Sequence, residues 1–291
     1  MSFETKFRKK NKKIAKSSVV TYLANIRRIT KALGHKEIPE GPAWLKKAPQ
    51  WLRKQKLNTK KLLSAASVKA AQAYGEEHKV LSKIMTDSTE QYDKERLKQK
   101  KTKREKVLMP SGGYEAVRKA AAKLVAQLPA KVGSMRDYMQ LQDAWLLSFY
   151  SRHTPRLISD VAIGKGVNRI QKKGATWVLT LGKHKTSKSS GKSVIRLDKS
   201  LTKLTGRLVN ERPVSIKHNM LLSAARGGTM SKSALSQRLT KLSAKTLGRG
   251  FSTQIMRVLK ATSQSAKMKA VREYLAEMGH GIQEERKYVA K

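Results

Sequence analysis

A basic stretch near the middle of the chain separates two segments that can each bury an apolar core. Residues 98–107 (KQKKTKREKV) are dominated by lysine and arginine and show no apolar periodicity. On both sides of this stretch, apolar residues recur at the three-to-four spacing of amphipathic helices. A chain of 291 residues is long enough for two modest domains. The sequence therefore predicts two domains joined by a basic linker at residues 98–107.

The segment before the linker is predicted to be helical throughout. Four amphipathic patterns follow one another between residues 17 and 97. The second pattern carries Trp44 and Trp51, for which core positions are predicted, and it contains Pro49, which disturbs a helix. Residues 1–16 are rich in charge and predict a disordered basic arm, which could track DNA or direct the protein to a nucleus.

The segment after the linker is predicted to be mostly helical with a small β-sheet or hairpin, an α+β class. Two helical patterns lie between residues 108 and 150, and two more lie between residues 199 and 250. The clearest β pattern is Trp177–Thr180 and Ser193–Leu197, two apolar runs around a lysine-rich loop. Residues 267–278 again have helical spacing, and Gly279 is expected to end that helix.

The charge of the chain points to a polyanionic partner. Sixty-four Lys and Arg against 20 Asp and Glu give a net charge of +44. Nucleic acid is the expected partner, because such a charge would repel an unpartnered protein from itself and attract phosphate. The sequence has no apolar run of 18 residues and no signal-peptide pattern, so neither a membrane partner nor secretion is predicted. We expect an intracellular protein that lies with the DNA, in a host nucleus or a bacterial cytoplasm.

The chain contains no cysteine. Disulfides, thiolate zinc sites and cysteine nucleophiles are therefore excluded.

Residues 251–291 carry the groups that could act on a phosphate. Arg257 offers a cation, His280 follows 23 positions later, and Tyr288 offers a phenol. A guanidinium matches the geometry of phosphate oxygens, an imidazole can share a proton, and a phenol can act as a nucleophile.

These residues resemble the end of the catalytic domain of the tyrosine recombinases, the phage-integrase family, of viral or mobile-element type. The matching motifs are Gln254-Ile-Met-Arg257, Met278-Gly279-His280 and Tyr288-Val289-Ala290. Two positions depart from the family. Gln254 stands where a histidine is usual, and Tyr288 follows His280 one residue earlier than in the common pattern.

Earlier motifs extend the resemblance toward the linker. In SRHTPRLISDV, residues 151–161, Arg156 matches the first catalytic arginine of the family, and Arg152 is the alternative. In the lysine-rich loop, Lys185 matches the lysine of the family's β-hairpin, and Lys183 is the second choice. The run RGGTMSKSALSQRLTKL resembles a Gly-rich turn and basic helix, capped by Ser231 or Ser233, that could lie in the major groove.

The resemblance implies a fold and an activity. Residues 17–97 correspond to a helical core-binding domain and residues 108–291 to the catalytic domain. The implied activity is site-specific cutting and rejoining of DNA through a 3′-phosphotyrosyl intermediate, for integration or excision, without cofactor or metal. Its residues are Tyr288 as nucleophile, Arg156 and Arg257 on the phosphate, Lys185 as proton donor, and His280 and Gln254 as hydrogen-bonding groups.

Two other functions fit the same residues. One is a type IB topoisomerase, which relaxes DNA without exchanging partners, and the other is a catalytically decayed DNA-binding protein. The expected partner in each case is double-stranded DNA. Because of its charge, the protein is expected to be a monomer in solution and to assemble into a dimer or tetramer only on DNA.

Overall fold

Two separate hydrophobic cores organise the chain. The computed structural model describes residues 2–98, 102–153, 158–184, 187 and 191–277, with side chains as far as Ser265. One compact unit is Met1–Lys101 and the other is Thr102–Lys291. Each unit has its own cluster of buried apolar side chains.

The first unit is a helical bundle built around one alanine-rich helix. Its helices are α1 (Phe3–Lys10), α2 (Lys16–Ala32), α3 (Trp44–Arg53), α4 (Leu57–Tyr74) and α5 (Lys79–Leu97). Helix α4 contacts each of the other four. It can do so because small side chains such as Ala66, Ala70 and Ala71 are fully buried and allow close approach.

The prediction of a disordered arm at the start of the chain is wrong for Phe3–Lys10. Phe3 and Phe7 lie one turn apart on the same side of α1, and both are buried. The ring of Phe3 lies 4.5 Å from that of Tyr74, centroid to centroid, at the end of α4. Burial of two phenylalanine side chains favours order by several kcal/mol, about 1.5–3 kcal/mol each. This outweighs the repulsion expected of a short basic segment.

Helix α3 runs through Pro49 without ending there. Trp44, Ala48 and Leu52 lie on one face of this helix and are buried. Their burial outweighs the hydrogen bond lost at the proline. The predicted core position is confirmed for Trp44, and Trp51 packs against the same core while partly exposed.

The second unit is mostly helical with one four-stranded sheet, as the predicted α+β class requires. Its helices are α6 (Lys103–Leu108), α7 (Gly113–Ala126), α8 (Met135–Tyr150), α9 (Lys199–Asn210), α10 (Lys232–Leu247) and α11 (Thr253–Glu277). Its strands are β1 (Ala162–Ile163), β2 (Asn168–Lys173), β3 (Thr176–Leu181) and β4 (Ser193–Arg196). The strands pair in that order, β1 parallel to β2 and the others antiparallel.

Helix α6 begins inside the stretch predicted as a linker and ends one residue beyond it. Thr102 and Glu105 begin it with a reciprocal capping box. The Glu105 amide donates to the Thr102 hydroxyl at 3.1 Å, and the Thr102 amide donates to the Glu105 carboxylate at 2.7 Å. The Thr-x-x-Glu pattern is a known start of helices and was present in the sequence. The lack of apolar periodicity in this stretch hid it.

Helix α11 is longer than the helix predicted at residues 267–278. It begins at Thr253 and continues to Glu277, so Gln254 and Arg257 belong to the same helix. Gly279, expected to end the helix, lies outside the described residues. In the part of the chain that the structure describes, no helix is both long and apolar enough to span a bilayer.

Candidate active site

Helix α11 presents Gln254 and Arg257 side by side on its exposed face. The helix contacts α7, and its inner face buries Ile255, Met256 and Leu259. Gln254 and Arg257 are one turn apart, and both are exposed. The three-residue spacing therefore puts an amide and a guanidinium on the same surface.

Lys260, one turn after Arg257, ties α11 to the end of α8. Its ammonium group donates a hydrogen bond to the backbone oxygen of Arg152 at 2.5 Å. The same ammonium lies 5.4 Å from the ring centre of Tyr114 on α7. Burial lowers the pKa of Lys260, and the nearby charge of Arg118 lowers it further. Three helices therefore meet at the C-terminal end of α8.

Tyr114 and Tyr150 reinforce this junction. The Tyr114 hydroxyl donates to the backbone oxygen of Tyr150, the last residue of α8, at 2.9 Å. Burial raises the pKa of Tyr114 to about 12, against the opposing effect of Arg118. Burial likewise raises the pKa of Tyr150, and the charge of Arg257 opposes that rise. Arg257 therefore lies close enough to the end of α8 for its charge to act there.

Arg152, the alternative to Arg156, is bound to protein groups. Its Nε atom lies 3.1 Å from a carboxylate oxygen of Asp198. Its two terminal nitrogens donate to the Ser148 backbone oxygen at 3.5 Å and to the Ser200 hydroxyl at 3.4 Å. Asp198 in turn caps α9 by accepting from the Leu201 amide at 2.9 Å. Arg152 therefore joins α8 to α9.

His153 is a further residue at the junction, and sequence analysis did not single it out. Its ring lies 5.1 Å from that of Phe149, and its buried Nε2 atom has no hydrogen-bond partner within the described part of the chain. Burial lowers the pKa of His153; Asp198 opposes this, whereas Lys260 and Arg152 add to it. The imidazole is thus kept neutral at pH 7 among cationic neighbours.

Strand β2 holds the start of the lysine-rich loop, which follows β3, in place. Lys183 is exposed just after β3, and its backbone bonds the side chain of Asn168 in both directions. His184 and Ser187 are joined by hydrogen bonds from the Ser187 hydroxyl and the Ser187 amide to the His184 backbone oxygen, at 2.8 and 3.0 Å. Lys185, the first choice for the catalytic lysine, lies outside the described residues.

Helix α10 has an anchored inner face and a basic outer face. Ser231 caps it by accepting from the Ala234 amide at 3.1 Å, which decides between the two predicted caps. Arg238 fixes it to α8, donating to the Asp143 carboxylate at 2.6 Å and the Met139 backbone oxygen at 2.7 Å. The exposed side chains are Lys232, Ser233, Gln237, Lys241, Ala244 and Lys245.

Several predicted site residues fall outside the described part of the chain. These are Arg156, Lys185, His280 and Tyr288. The structure describes Gln254, Arg257, Arg152 and Lys183. Arg152 follows the end of α8, and Gln254 and Arg257 lie on α11, which is bonded to Arg152 through Lys260. Among the described residues, no group of three or more His, Asp or Glu side chains could hold a metal ion.

No family model matches the chain, and no curated protein matches it. Among solved structures, the crystal structure of XerA recombinase aligns with 96% of this chain and 89% of its own, at 11% identity and a TM-score of 0.38. A score at that level does not establish a common fold.

Proposed function

We propose that the protein is a DNA strand transferase of the tyrosine-recombinase type. One observation in the structure carries the proposal. The helix with Gln254 and Arg257 is held against the end of α8 by the bond from Lys260 to the Arg152 backbone oxygen. The sequence that follows α8 contains Arg156, the residue that the motif resemblance assigns to the same phosphate. Lys260, three residues after Arg257, thus bonds a residue that lies four positions before Arg156 in the sequence.

The proposed reaction exchanges one phosphodiester for another. The Tyr288 oxygen attacks the phosphorus, and its proton passes to water or to His280. The bond from phosphorus to the 5′ oxygen breaks, and Lys185 or Lys183 gives that oxygen a proton. A 5′ hydroxyl then reverses the step on the same or another strand. The number of phosphoester bonds is conserved, so the reaction as written needs no nucleotide cofactor.

The proposed roles of the arginines follow from their chemistry. Charge develops on the non-bridging phosphate oxygens during the attack, and guanidinium groups donate two parallel hydrogen bonds to such oxygens. Arg156 and Arg257 are assigned to them. Arg152 is the weaker candidate, because its guanidinium already bonds Asp198, Ser148 and Ser200.

Duplex DNA is the proposed partner. The net charge of +44 and the exposed lysines on α10 both favour contact with a phosphate backbone. Charge repulsion favours a monomer in solution, and neutralisation by DNA would allow a dimer or tetramer to form there. We also propose that the protein works inside the cell, and that its substrate is viral or mobile-element DNA. The support for that substrate is the motif resemblance alone.

Gln254 favours one competing function, a DNA-binding protein that has lost its chemistry. A glutamine side chain can donate and accept hydrogen bonds, but it cannot take up a proton at neutral pH. If this position must accept the proton of the tyrosine, the chain would bind DNA without cutting it.

A covalent trapping experiment tests the proposal. The full chain is incubated with nicked duplexes whose central region is randomised, and protein-linked DNA is recovered on a denaturing gel and sequenced. In such duplexes, cleavage near the nick releases a short strand, and the protein stays attached. We expect an adduct from the wild type and none from Tyr288→Phe, which should bind the DNA equally well.

The other outcomes separate the competing functions. Binding without any adduct would support the decayed protein and reject the proposal. If an adduct forms, supercoiled plasmids that carry the selected sequence identify the activity. Exchange of strands between two plasmids supports a recombinase, whereas relaxation without exchange identifies a topoisomerase.

A further inference from the structure

Asn168, the first residue of β2, forms a pair of hydrogen bonds with the backbone of one residue in the lysine-rich loop. Its side-chain nitrogen donates to the Lys183 backbone oxygen at 3.0 Å. The Lys183 amide donates to its side-chain oxygen at 2.9 Å. Asn168 is 7% exposed, so these bonds are largely protected from competing water. The Asn168 side chain thus makes the two backbone hydrogen bonds that a paired strand would make to Lys183, two residues after the end of β3.

Gly182, the residue before Lys183, is also held by a hydrogen bond to the chain next to Asn168. The Gly182 amide donates to the Val167 backbone oxygen at 3.1 Å. A β-carbon at Gly182 would lie 2.8 Å from that oxygen and 3.1 Å from a methyl carbon of Val167. Only glycine permits this approach without a backbone shift. The direction in which the chain leaves β3 is therefore fixed by Val167 and Asn168 together.

The anchoring acts on a loop that carries much positive charge. A lysine-rich loop in a basic chain is expected to repel itself and spread. Both hydrogen-bonding groups of the buried Asn168 side chain are bonded to the backbone of one loop residue, Lys183. The loop contains both candidates for the proton donor, Lys183 and Lys185.

We propose that Asn168 is a positioning residue for the proton-donating lysine. By fixing the Lys183 backbone, it sets the point from which a lysine ammonium reaches the departing 5′ oxygen. This inference rests on the proposed strand-transfer function. A proton donor must lie within hydrogen-bond distance of the atom it protonates, and its contribution of about 10²–10⁴-fold is lost when it is displaced.

Replacing the atom that leaves phosphorus in the DNA substrate tests the role of Asn168 in proton donation separately from other effects. In a duplex whose 5′-bridging oxygen at the cleavage site is replaced by sulfur, the leaving group is a thiolate. A thiol has a pKa of about 8.5, so it departs without prior protonation. The measured quantity is the ratio of the adduct-formation rate on the sulfur duplex to the rate on the ordinary duplex. A positioning residue for the donor affects only the second rate.

We expect Asn168→Ala to raise this ratio about tenfold or more over the wild type, through slower cleavage of the ordinary duplex. The same increase should appear in Lys185→Ala or in Lys183→Ala, which would identify the donor. Equal loss of both rates in Asn168→Ala would overturn the inference and leave Asn168 with a structural role only. A wild type that cuts neither duplex would instead reject the proposed function.

Gln142 provides a matched control. It is another buried side-chain amide in the same unit, and it also bonds one residue with both of its polar atoms, donating to the Ser223 hydroxyl at 2.8 Å and accepting from the Ser223 amide at 2.9 Å. Gln142→Ala should destabilise the unit but leave the ratio at the wild-type value. If Asn168→Ala does not fold, Asn168→Asp keeps the shape and the bond from the Lys183 amide, but it replaces the donated bond with a carboxylate oxygen that faces the Lys183 backbone oxygen. Its ratio should also rise, and an unchanged ratio in this folded variant would contradict the inference.

Discussion

At the scale of single residues, Arg257 is predicted to matter for cleavage and not for affinity. Arg257→Ala should slow adduct formation by about 10²–10³-fold, because the proposed role of Arg257 is to donate to charge that develops in the transition state. DNA affinity should hardly change, since the substitution removes one of the 64 Lys and Arg in the chain. Fluorescence anisotropy measures the affinity and gel quantification the rate.

Lys241 on α10 gives the opposite control. Lys241→Ala should weaken binding modestly and leave the rate at saturating DNA unchanged. If Arg257→Ala lost affinity and rate in equal measure, Arg257 would be an ordinary phosphate contact.

The position of Gln254 should tolerate a histidine, the usual residue in the tyrosine recombinases that the sequence resembles. Its side chain is exposed one turn before Arg257, so a histidine fits without a clash in the core. Gln254→His should leave the rate of adduct formation unchanged or raise it, because an imidazole can accept the proton that an amide cannot. Single-turnover measurements across pH 6–8 would check this. A rate far below the wild type would mean that the site is arranged around an amide.

His153 should make the second unit sensitive to acid. Its pKa is lowered in the folded state by burial, with Lys260 and Arg152 adding to the effect and Asp198 opposing it. Below the unfolded-state pKa of about 6.5, the unfolded chain therefore binds a proton that the folded chain resists. Stability should fall as the pH drops through that value. Urea unfolding at pH 7.5 and pH 5 should show a smaller fall for His153→Phe than for the wild type; an equal fall would contradict the assignment.

At the scale of elements, the capping box of α6 should be measurable. Thr102→Ala removes the hydroxyl that accepts from the Glu105 amide, and it should cost about 1 kcal/mol of unfolding free energy. Thr102→Ser keeps the hydroxyl and should cost much less. Urea denaturation of both variants compares them, and equal losses would show that the cap is not the cause.

The elements differ in how far the sequence predicted them. Helices with a regular apolar face, such as α7 and α8, fall within residues 108–150, where two helices were predicted, and the β3–β4 hairpin was predicted close to its observed bounds. Strands β1 and β2 were not predicted. Strand β2 has one apolar residue, Ile170, and pairs along its length with β3, so its conformation depends on its neighbour rather than on its own pattern.

The same distinction holds for the site. The exposed pair Gln254 and Arg257 follows from helical spacing, which a sequence displays. The contacts of Lys260 and Asn168 do not. Lys260 bonds a residue 108 positions away, and Asn168 bonds one 15 positions away. Hydrogen bonds of this kind form only when segments distant in sequence pack together, and no pattern in a single sequence predicts them.

At the scale of the whole molecule, DNA binding should depend steeply on salt. Each phosphate that a lysine or arginine neutralises releases bound counterions. With six to ten such contacts, affinity should fall about 10³–10⁵-fold between 50 and 200 mM salt. A charge of +44 supplies more than enough cations for that number. Anisotropy titrations at several salt concentrations give the slope.

Tyr288→Phe should give the same slope as the wild type, because it changes no charge. A slope close to zero would mean that the basic residues do not face the DNA, and the proposed partner would be wrong.

Helix α10 separates the residues that hold it from the residues that it displays. Arg238 and the buried leucines fasten the helix to the rest of its unit, whereas Gln237 and Lys241 contact solvent. For protein engineering, this separation means that the outer positions can be varied without changing the residues that hold the helix. In a combinatorial library that randomises the outer positions and spares Arg238, differences in DNA affinity among the clones would test whether α10 contacts DNA.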